Sequence, residues 1–190
     1  MVAPGPDSAT TFREAQEYIG RRVSESLAAL DPPLIERAVG LLAAARATFV
    51  YGAGRSGIIG RAFAMRLVQA GLHAYVIGES VTPIVRSGDL VFIVSGRGES
   101  QSSIQTANIV RREGAQLIVV TARAASKLAH AATLLIPIAL GEDADRGRLA
   151  PLGTLFESAS LRLTDGLIAA LLERRGESEE SMRRRHAIIV

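Results

Sequence analysis

Short apolar runs and helix-like stretches alternate along the middle of this chain. The apolar runs cover residues 48–51, 74–77, 90–94, 117–121 and 133–138. Continuous runs of this length indicate strands that are buried on both faces, and the stretches between them suit crossover helices. The alternation therefore predicts an α/β fold, with a doubly wound parallel sheet and right-handed crossovers that place helices on both faces.

Two glycine-rich turns, residues 52–57 and 95–100, follow the first and third runs. Their sequences are Gly-Ala-Gly-Arg-Ser-Gly and Ser-Gly-Arg-Gly-Glu-Ser. Glycines let the backbone N–H groups approach an anion, while the hydroxyls of Ser56, Ser95 and Ser100 and the positive end of the following helix add donors. Doubly wound sheets bind ligands at the carboxyl ends of their strands. The two turns together therefore predict a site for a small phosphorylated ligand.

The first turn also satisfies the dinucleotide-binding pattern Gly-x-Gly-x-x-Gly. Gly52, Gly54 and Gly57 follow a predicted strand and open a predicted helix. Glu79 stands near the place where such folds carry the acid that binds the ribose. A nicotinamide- or flavin-binding protein is therefore an open alternative, although the second turn, which a dinucleotide fold does not need, favours a sugar phosphate.

The C-terminal third predicts a loop followed by two helices. Residues 139–149 are charged and rich in turn-forming residues, so we expect an exposed loop. A helix predicted over residues 152–174 is apolar around most of its circumference and is expected to be largely buried. Gly176 ends it, and a last short helix containing Met182 is expected before the C-terminus.

Glu157 and His186 are the candidates for acid–base chemistry. Glu157 lies within the otherwise apolar helix, where its carboxylate must face a cavity, find a partner or raise its pKa. It is either a general base or a residue on the one solvated stripe of the helix. His186 follows a basic segment near the C-terminus, from which it could reach an active site. His73 and His130 are interpreted as structural, and because no pair of histidines has metal-ligand spacing we expect no metal.

The N-terminal part predicts a tail and two helices. Residues 1–9 contain two prolines and a glycine, so we expect a flexible tail followed by a single domain over residues 10–190. The first helix is expected to begin at Thr11 or one residue earlier, because Thr11 and Glu14 have capping-box spacing. Asp31 is expected to cap the second helix, whose first turn contains proline.

Composition and charge exclude several classes of function. The chain has no cysteine, which excludes disulfides, thiolate metal sites and cysteine nucleophiles. The net charge is only +3, and the basic run Arg183, Arg184 and Arg185 lies beside glutamates without aromatic residues, so we expect no nucleic-acid partner. The N-terminus lacks the pattern of a signal peptide, and charges interrupt every apolar run. We therefore expect no membrane span and a cytoplasmic location.

The chain resembles the sugar isomerase (SIS) domain family, and within it the 6-phospho-3-hexuloisomerases of the ribulose monophosphate pathway of formaldehyde assimilation. The resemblance rests on both glycine-serine turns and on residues 62–67, 78–83, 151–157 and 182–187. The turns are shared across the SIS family, whereas the Gly-Thr-Leu-Phe-Glu and Arg-His-Ala segments are typical of the hexuloisomerases. Where the second turn of the family usually has serine this chain has Arg97, whose guanidinium can also donate to a phosphate.

The resemblance implies a three-layer α-β-α sandwich with a five-stranded, flavodoxin-like parallel sheet and with N-terminal and C-terminal helices. It also implies a homotetramer, a phosphorylated sugar substrate and interconversion of 3-hexulose 6-phosphate and fructose 6-phosphate without a cofactor. A hexulose-phosphate synthase would be a functional partner, because it supplies the 3-hexulose.

Carried over residue by residue, the resemblance makes Glu157 the base of an enediolate mechanism. We hypothesise that His186, from its own or a neighbouring subunit, moves protons between the sugar oxygens, and that Arg55 and Glu79 orient the sugar hydroxyls. The residues expected to bind the substrate are Arg55, Ser56, Glu79, Ser95, Gly96, Arg97, Gly98, Glu99 and Ser100.

Two related functions stay open beside this one. SIS domains also serve as non-catalytic sugar-phosphate sensors in regulatory proteins. We expect no output domain in a chain of this length, and the presence of Glu157 favours an enzyme. Other SIS isomerases act on arabinose 5-phosphate or sedoheptulose 7-phosphate and differ from the first interpretation only in the substrate.

Overall fold

The computed structural model describes residues 7–188, which form eight helices and five strands, with no helix between β2 and β3. In chain order the elements are α1 (Ser8–Ala28), α2 (Pro32–Ala44), β1 (Thr48–Gly52), α3 (Arg55–Gln69), β2 (Ala74–Val76), β3 (Leu90–Val94), α4 (Gln101–Arg112), β4 (Gln116–Thr121), α5 (Lys127–Ala131), β5 (Leu134–Pro137), α6 (Arg146–Leu149), α7 (Thr154–Arg175) and α8 (Glu179–Arg184).

The five strands form one parallel sheet in the order β2-β1-β3-β4-β5. This is the flavodoxin-like order of doubly wound folds, and it confirms the predicted fold class. Gly52 pairs with Val94, and Val94 pairs with Val120, so β1, β3 and β4 end side by side. The two glycine-serine turns are therefore neighbours at the carboxyl edge of the sheet.

A hydrophobic core lies on each face of the sheet. Val50 and Phe92 pack on one face with side chains of α1, α2, α3 and α7. Phe49 and Val91 pack on the other face with side chains of α4 and α5. Every residue of β3 is buried, as expected of the central strand of a parallel sheet that is covered on both faces.

The first helix begins earlier than predicted. The Asp7 side chain accepts a hydrogen bond of 2.9 Å from the backbone N–H of Thr10 and so caps a helix that starts at Ser8. The capping box predicted at Thr11 and Glu14 is wrong, because both residues lie inside this helix. The last three residues of the predicted tail therefore belong to the helix and its cap, and the others lie outside the described residues.

The C-terminal third differs in two respects from the prediction. The segment expected as an exposed loop contains α6, and its Leu140 and Leu149 are buried. α7 buries one face and leaves Leu161 exposed on the other, so it is not buried around most of its circumference. It ends at Gly176, in the left-handed conformation that favours glycine, as predicted.

α7 runs from the carboxyl edge of the sheet to its amino edge. Its 22 residues span about 33 Å. Near its start Phe156 packs against Gly96, in the turn after β3 at the carboxyl edge. Beyond its end the Arg185 side chain packs against Gly71 and donates to the carbonyl of Gln69, where α3 has returned to the amino edge. Within residues 7–188, no helix combines the length and apolarity needed to cross a membrane.

Candidate active site

A cavity of about 810 Å³ lies at the carboxyl edge of the sheet. Its walls are formed by the turns after β1, β3 and β4, by the segment between β5 and α7, and by the start of α7. It brings together most of the predicted site residues, namely Ser56, Ser95, Gly96, Arg97, Glu99, Ser100 and Glu157. A second depression, of about 660 Å³ on the outer face of α4, contains neither a glycine turn nor a carboxylate and is not a candidate site.

The first glycine-serine turn leaves the start of α3 open to a ligand. A Cβ on Gly57 would lie 2.5 Å from the carbonyl oxygen of Gly52, so the backbone approaches itself too closely for a side chain. Gly54 stands at the N-cap position of α3 with φ +57°, and because it has no side chain it makes no side-chain capping hydrogen bond. The first N–H groups of α3 can therefore bind an anion, beside the hydroxyl of Ser56.

The second turn is held tightly and presents hydroxyls. Gly98 has φ +64°, and a Cβ there would lie 2.1 Å from Oγ of Ser126, so only glycine fits. Ser95 is buried at the end of β3. Ser100 is the N-cap of α4, yet its hydroxyl pairs with that of Ser102 at 2.9 Å instead of capping the helix. The start of α4 is a second place where backbone N–H groups and hydroxyls can bind a phosphate.

Glu157 lies on the cavity wall at the start of α7. Its side chain is 14% exposed, and its Oε2 lies 2.8 Å from Nε of the largely exposed Arg55. That contact is an ion pair without hydrogen-bond geometry, because Oε2 accepts no hydrogen bond from the described residues. Gly153 lies behind the carboxylate, and a Cβ there would lie 2.8 Å from Oε1. A shielded carboxylate with unused lone pairs beside a cavity is arranged to accept a proton.

Four predicted site residues are not among those that line the cavity of their own chain: Arg55, Gly98, Glu79 and His186. Arg55 contacts Glu157 on the cavity wall, and Gly98 lies behind the second turn against Ser126. Glu79 forms an ion pair with Arg61 of α3. His186 follows α8 near the amino edge of the sheet, where its exposed ring has Nδ1 2.8 Å from the carbonyl oxygen of Ala187. Because the whole length of α7 lies between Glu157 and α8, His186 does not reach the cavity of its own chain.

Residues of the segment after β5, which the sequence pattern did not indicate as part of the site, form one wall of the cavity. Gly141, Glu142 and Arg146 line the cavity there, and Arg123 lines it after β4. Their charge pattern resembles an ordinary solvated loop, but segments that follow strands at the carboxyl edge are the ones that form ligand sites in doubly wound folds. Residues 7–188 contain no group of three or more His, Asp or Glu side chains placed to hold a metal ion.

Comparison with known proteins identifies the family. Residues 41–157 match the model of the SIS domain. The 3-hexulose-6-phosphate isomerase of Methylomonas aminofaciens is 39% identical over 155 residues, which are 80% of this chain and 85% of that protein. The protein of the same name from Bacillus subtilis is 37% identical over 144 residues, which are 73% of this chain and 77% of that protein.

A solved structure agrees with these relatives. It is that of a hypothetical protein of Methanococcus jannaschii, for which a molecular function of 3-hexulose-6-phosphate isomerase is inferred. The similarity has a TM-score of 0.84 with 26% identity, and it covers 93% of this chain and 99% of that one. The chain therefore belongs to the SIS domain family, where its relatives include proteins named 3-hexulose-6-phosphate isomerase.

Proposed function

We propose that this chain is a 3-hexulose-6-phosphate isomerase, which interconverts 3-hexulose 6-phosphate and fructose 6-phosphate without a cofactor. The observation that carries the proposal is the Glu157 carboxylate, shielded and incompletely hydrogen-bonded on the wall of a cavity that also contains two glycine-serine turns. Membership of the SIS family favours this function over the dinucleotide-binding alternative, and the named relatives support the same substrate.

The glycine-serine turns bind the phosphate in this proposal. Ser56, Ser95 and Ser100 supply hydroxyl donors, and the open starts of α3 and α4 supply backbone N–H groups and the positive ends of two helix dipoles. Arg97 stands where the family usually has serine, and its guanidinium adds a charged donor from the same turn. The phosphate thus fixes one end of the sugar while the reacting carbons lie near Glu157.

The reaction moves a carbonyl group from C3 to C2 of the sugar. Glu157 removes the proton from C2, and the electrons of that C–H bond form the C2–C3 double bond of an enediolate with its negative charge on O3. The hydroxyl proton of O2 passes to O3, after which Glu157 returns its proton to C3 and the carbonyl forms at C2. One carboxylate serves both transfers, and Arg55 beside it donates to the oxygen where charge develops.

A neighbouring subunit completes the site in this proposal. His186 is exposed and lies away from its own cavity, so we assign it the proton transfer between O2 and O3 in another copy of a homotetramer. Leu152 on the cavity wall and Ile58 in the first turn of α3 are 92% and 66% exposed, and such apolar side chains fit a face that another copy covers. Glu79 would orient a sugar hydroxyl in the assembled site.

The proposed substrate also implies a cellular context. The 3-hexulose phosphate is supplied by a hexulose-phosphate synthase of the ribulose monophosphate pathway, so we propose functional coupling to such a synthase. We accordingly propose that the enzyme acts in the cytoplasm.

A coupled assay tests this function. The 3-hexulose 6-phosphate is generated in place, and fructose 6-phosphate is detected as it appears. We expect turnover by the wild type and a loss of about 10³-fold in kcat for Glu157→Gln, because the amide cannot accept the proton. Fructose 6-phosphate should still raise the melting temperature of this variant.

Glu173→Gln is the matched control, because it makes the same change on the same helix at an exposed position far from the cavity. We expect this variant to turn over like the wild type. Suppose that fructose 6-phosphate protects the wild type against unfolding but is not isomerised by it. That result would contradict the proposed isomerase activity and favour a sugar-phosphate sensor.

A further inference from the structure

Two side chains of α1, Tyr18 and Arg22, hold the segment after β5 that forms one wall of the cavity. The Tyr18 hydroxyl donates to the carboxylate of Asp143, 2.9 Å away, and the Arg22 guanidinium donates to the same carboxylate and to the carbonyl of Leu140. Tyr18 and the Arg22 side chain are 5% and 13% exposed, whereas the Asp143 side chain is 35% exposed, so the contact is shielded on the α1 side and open to solvent at the carboxylate. We call Tyr18, Arg22 and Asp143 the α1 anchor.

The charges within the α1 anchor favour an ionised Asp143. Burial raises the pKa of the Tyr18 hydroxyl, and so does its hydrogen bond to Asp143. Burial would also raise the pKa of Asp143, but the hydrogen bonds from Tyr18 and from the backbone N–H of Arg146, together with the charge of Arg22, bring it below its ordinary value. Asp143 is therefore a carboxylate at neutral pH, with donors on more than one side.

The same carboxylate fixes the backbone at the start of α6. Oδ1 of Asp143 accepts hydrogen bonds of 3.0 Å from the N–H groups of Asp145 and Arg146. Upstream, Gly141 has φ +60° and lies so close to Arg22 that a Cβ would be 2.9 Å from its Nη2. The segment is thus fixed both where it leaves β5 and where it enters α6.

The two arginines of α6 have different surroundings. Arg148 forms an ion pair of 2.6 Å with Glu14 of α1. Arg146 lines the cavity, and its side chain is 26% exposed; among residues 7–188 its guanidinium forms an ion pair with the carboxylate of Glu142 alone, which is 83% exposed. An exposed ion pair between residues four apart contributes little, so a phosphate can take the place of Glu142.

We propose that Arg146 binds the phosphate of the sugar substrate and that the α1 anchor positions it. A guanidinium can donate two parallel hydrogen bonds to a phosphate, and fixing its backbone reduces the entropy lost on binding. Arg146 is then a binding residue, whereas Tyr18, Arg22 and Asp143 are positioning residues that do not touch the ligand. The inference rests on the proposed function, because it takes a sugar phosphate as the ligand.

Calorimetric titration with fructose 6-phosphate tests the binding role. Arg146→Gln should weaken binding about tenfold or more, because a charged donor is lost. Arg148→Gln removes the same charge from the same short helix and should change the affinity less than about twofold. An Arg146→Gln protein that binds fructose 6-phosphate as tightly as the wild type would overturn the inference.

A double-mutant cycle tests the positioning role. Tyr18→Phe removes one hydroxyl and should weaken binding about threefold in the wild type, but not further in Arg146→Gln, because the anchor acts through Arg146. Equal losses in both backgrounds would show that Tyr18 affects only general stability and would overturn the positioning role.

The same titrations separate this inference from the proposed function. If these effects are found in a protein that binds fructose 6-phosphate without isomerising it, the proposed function fails and the inference stands. If the wild type does not bind fructose 6-phosphate, both fail.

Discussion

Glu157 and Glu177 lie near opposite ends of α7, and each is paired with an arginine. Their side chains are almost equally shielded, at 14% and 18% exposed. Glu177 accepts hydrogen bonds of 2.8 and 3.0 Å from Arg185 and a further one from Ser181, and these bonds lower its pKa to about 2. Glu157 contacts Arg55 through one nitrogen, and its Oε2 accepts no hydrogen bond from the described residues.

The difference separates a carboxylate that holds structure from the one that we propose as the base. The lone pairs of Glu177 are occupied by donors that favour its charged form, so it takes up a proton only in strong acid. It holds the side chain of Arg185, which in turn donates to the carbonyl of Gln69 at the end of α3. Glu157 borders a cavity with lone pairs unused, next to a glycine that leaves room for the carboxylate. Two glutamates with similar burial and an arginine partner each therefore differ in role: Glu177 is structural, and Glu157 is the candidate base.

The largest effect is expected for His186, which lies near the same end of α7 as Glu177. If it serves the cavity of another subunit, His186→Gln should lower kcat about 10²-fold. Denaturing a mixture of Glu157→Gln and His186→Gln proteins and refolding it should restore turnover, because hybrid oligomers contain sites with both residues intact. Mixed oligomers that form but stay inactive would contradict an exchange between subunits.

A smaller effect is expected where Gly153 meets the carboxylate. Gly153→Ala places a Cβ 2.8 Å from Oε1 of Glu157, so the base must shift and kcat should fall about tenfold, with a smaller change in the affinity for fructose 6-phosphate. Steady-state kinetics and calorimetric titration measure the two quantities. Unchanged kcat would mean that the position of the carboxylate does not depend on this wall.

Gly166→Ala is the matched control for that experiment, because a Cβ on Gly166 of the same helix meets nothing within 4 Å. Alanine should raise the free energy of unfolding by about 0.5–1 kcal/mol there and leave kcat unchanged.

The smallest effect should appear at the Glu177 end of α7, in the dependence of stability on pH. Because folding lowers the pKa of Glu177 from 4.5 to about 2, its contribution is present above pH 4.5 and is lost as the pH falls from 4.5 to 2. Urea unfolding should show Glu177→Gln less stable than the wild type at pH 7, by a difference that shrinks below pH 4.5. A difference that stays constant from pH 7 to pH 3 would contradict this account of Glu177.

The sheet and its turns could be predicted because their signals are local. β3 coincides with its apolar run, and the glycines at 52 and 57 stand where the backbone leaves no room for a Cβ, as does Gly98 against the Ser126 side chain. The start of α1 was harder to predict, because Asp7 and Thr11 both offer capping side chains within a few residues and the pattern does not decide between them.

The rest of the candidate site depends on contacts between distant parts of the chain. The sequence gives no direct sign that α7 carries His186 to the edge opposite Glu157. Arg146 resembles part of a solvated loop until Tyr18 and Asp143, which are 125 residues apart, are seen to meet. Such placements depend on how the helices pack on the sheet, and local patterns in one sequence do not reveal that packing.

Hydrogen exchange at C3 of fructose 6-phosphate tests the role of Glu157 most directly. The sugar phosphate is incubated with the protein in D₂O, and the C3 proton signal is followed by NMR. If Glu157 is the base, the wild type and Glu173→Gln replace this hydrogen with deuterium, while Glu157→Gln leaves the signal in place. A Glu157→Gln protein that exchanges the C3 hydrogen as fast as the wild type would contradict the assignment.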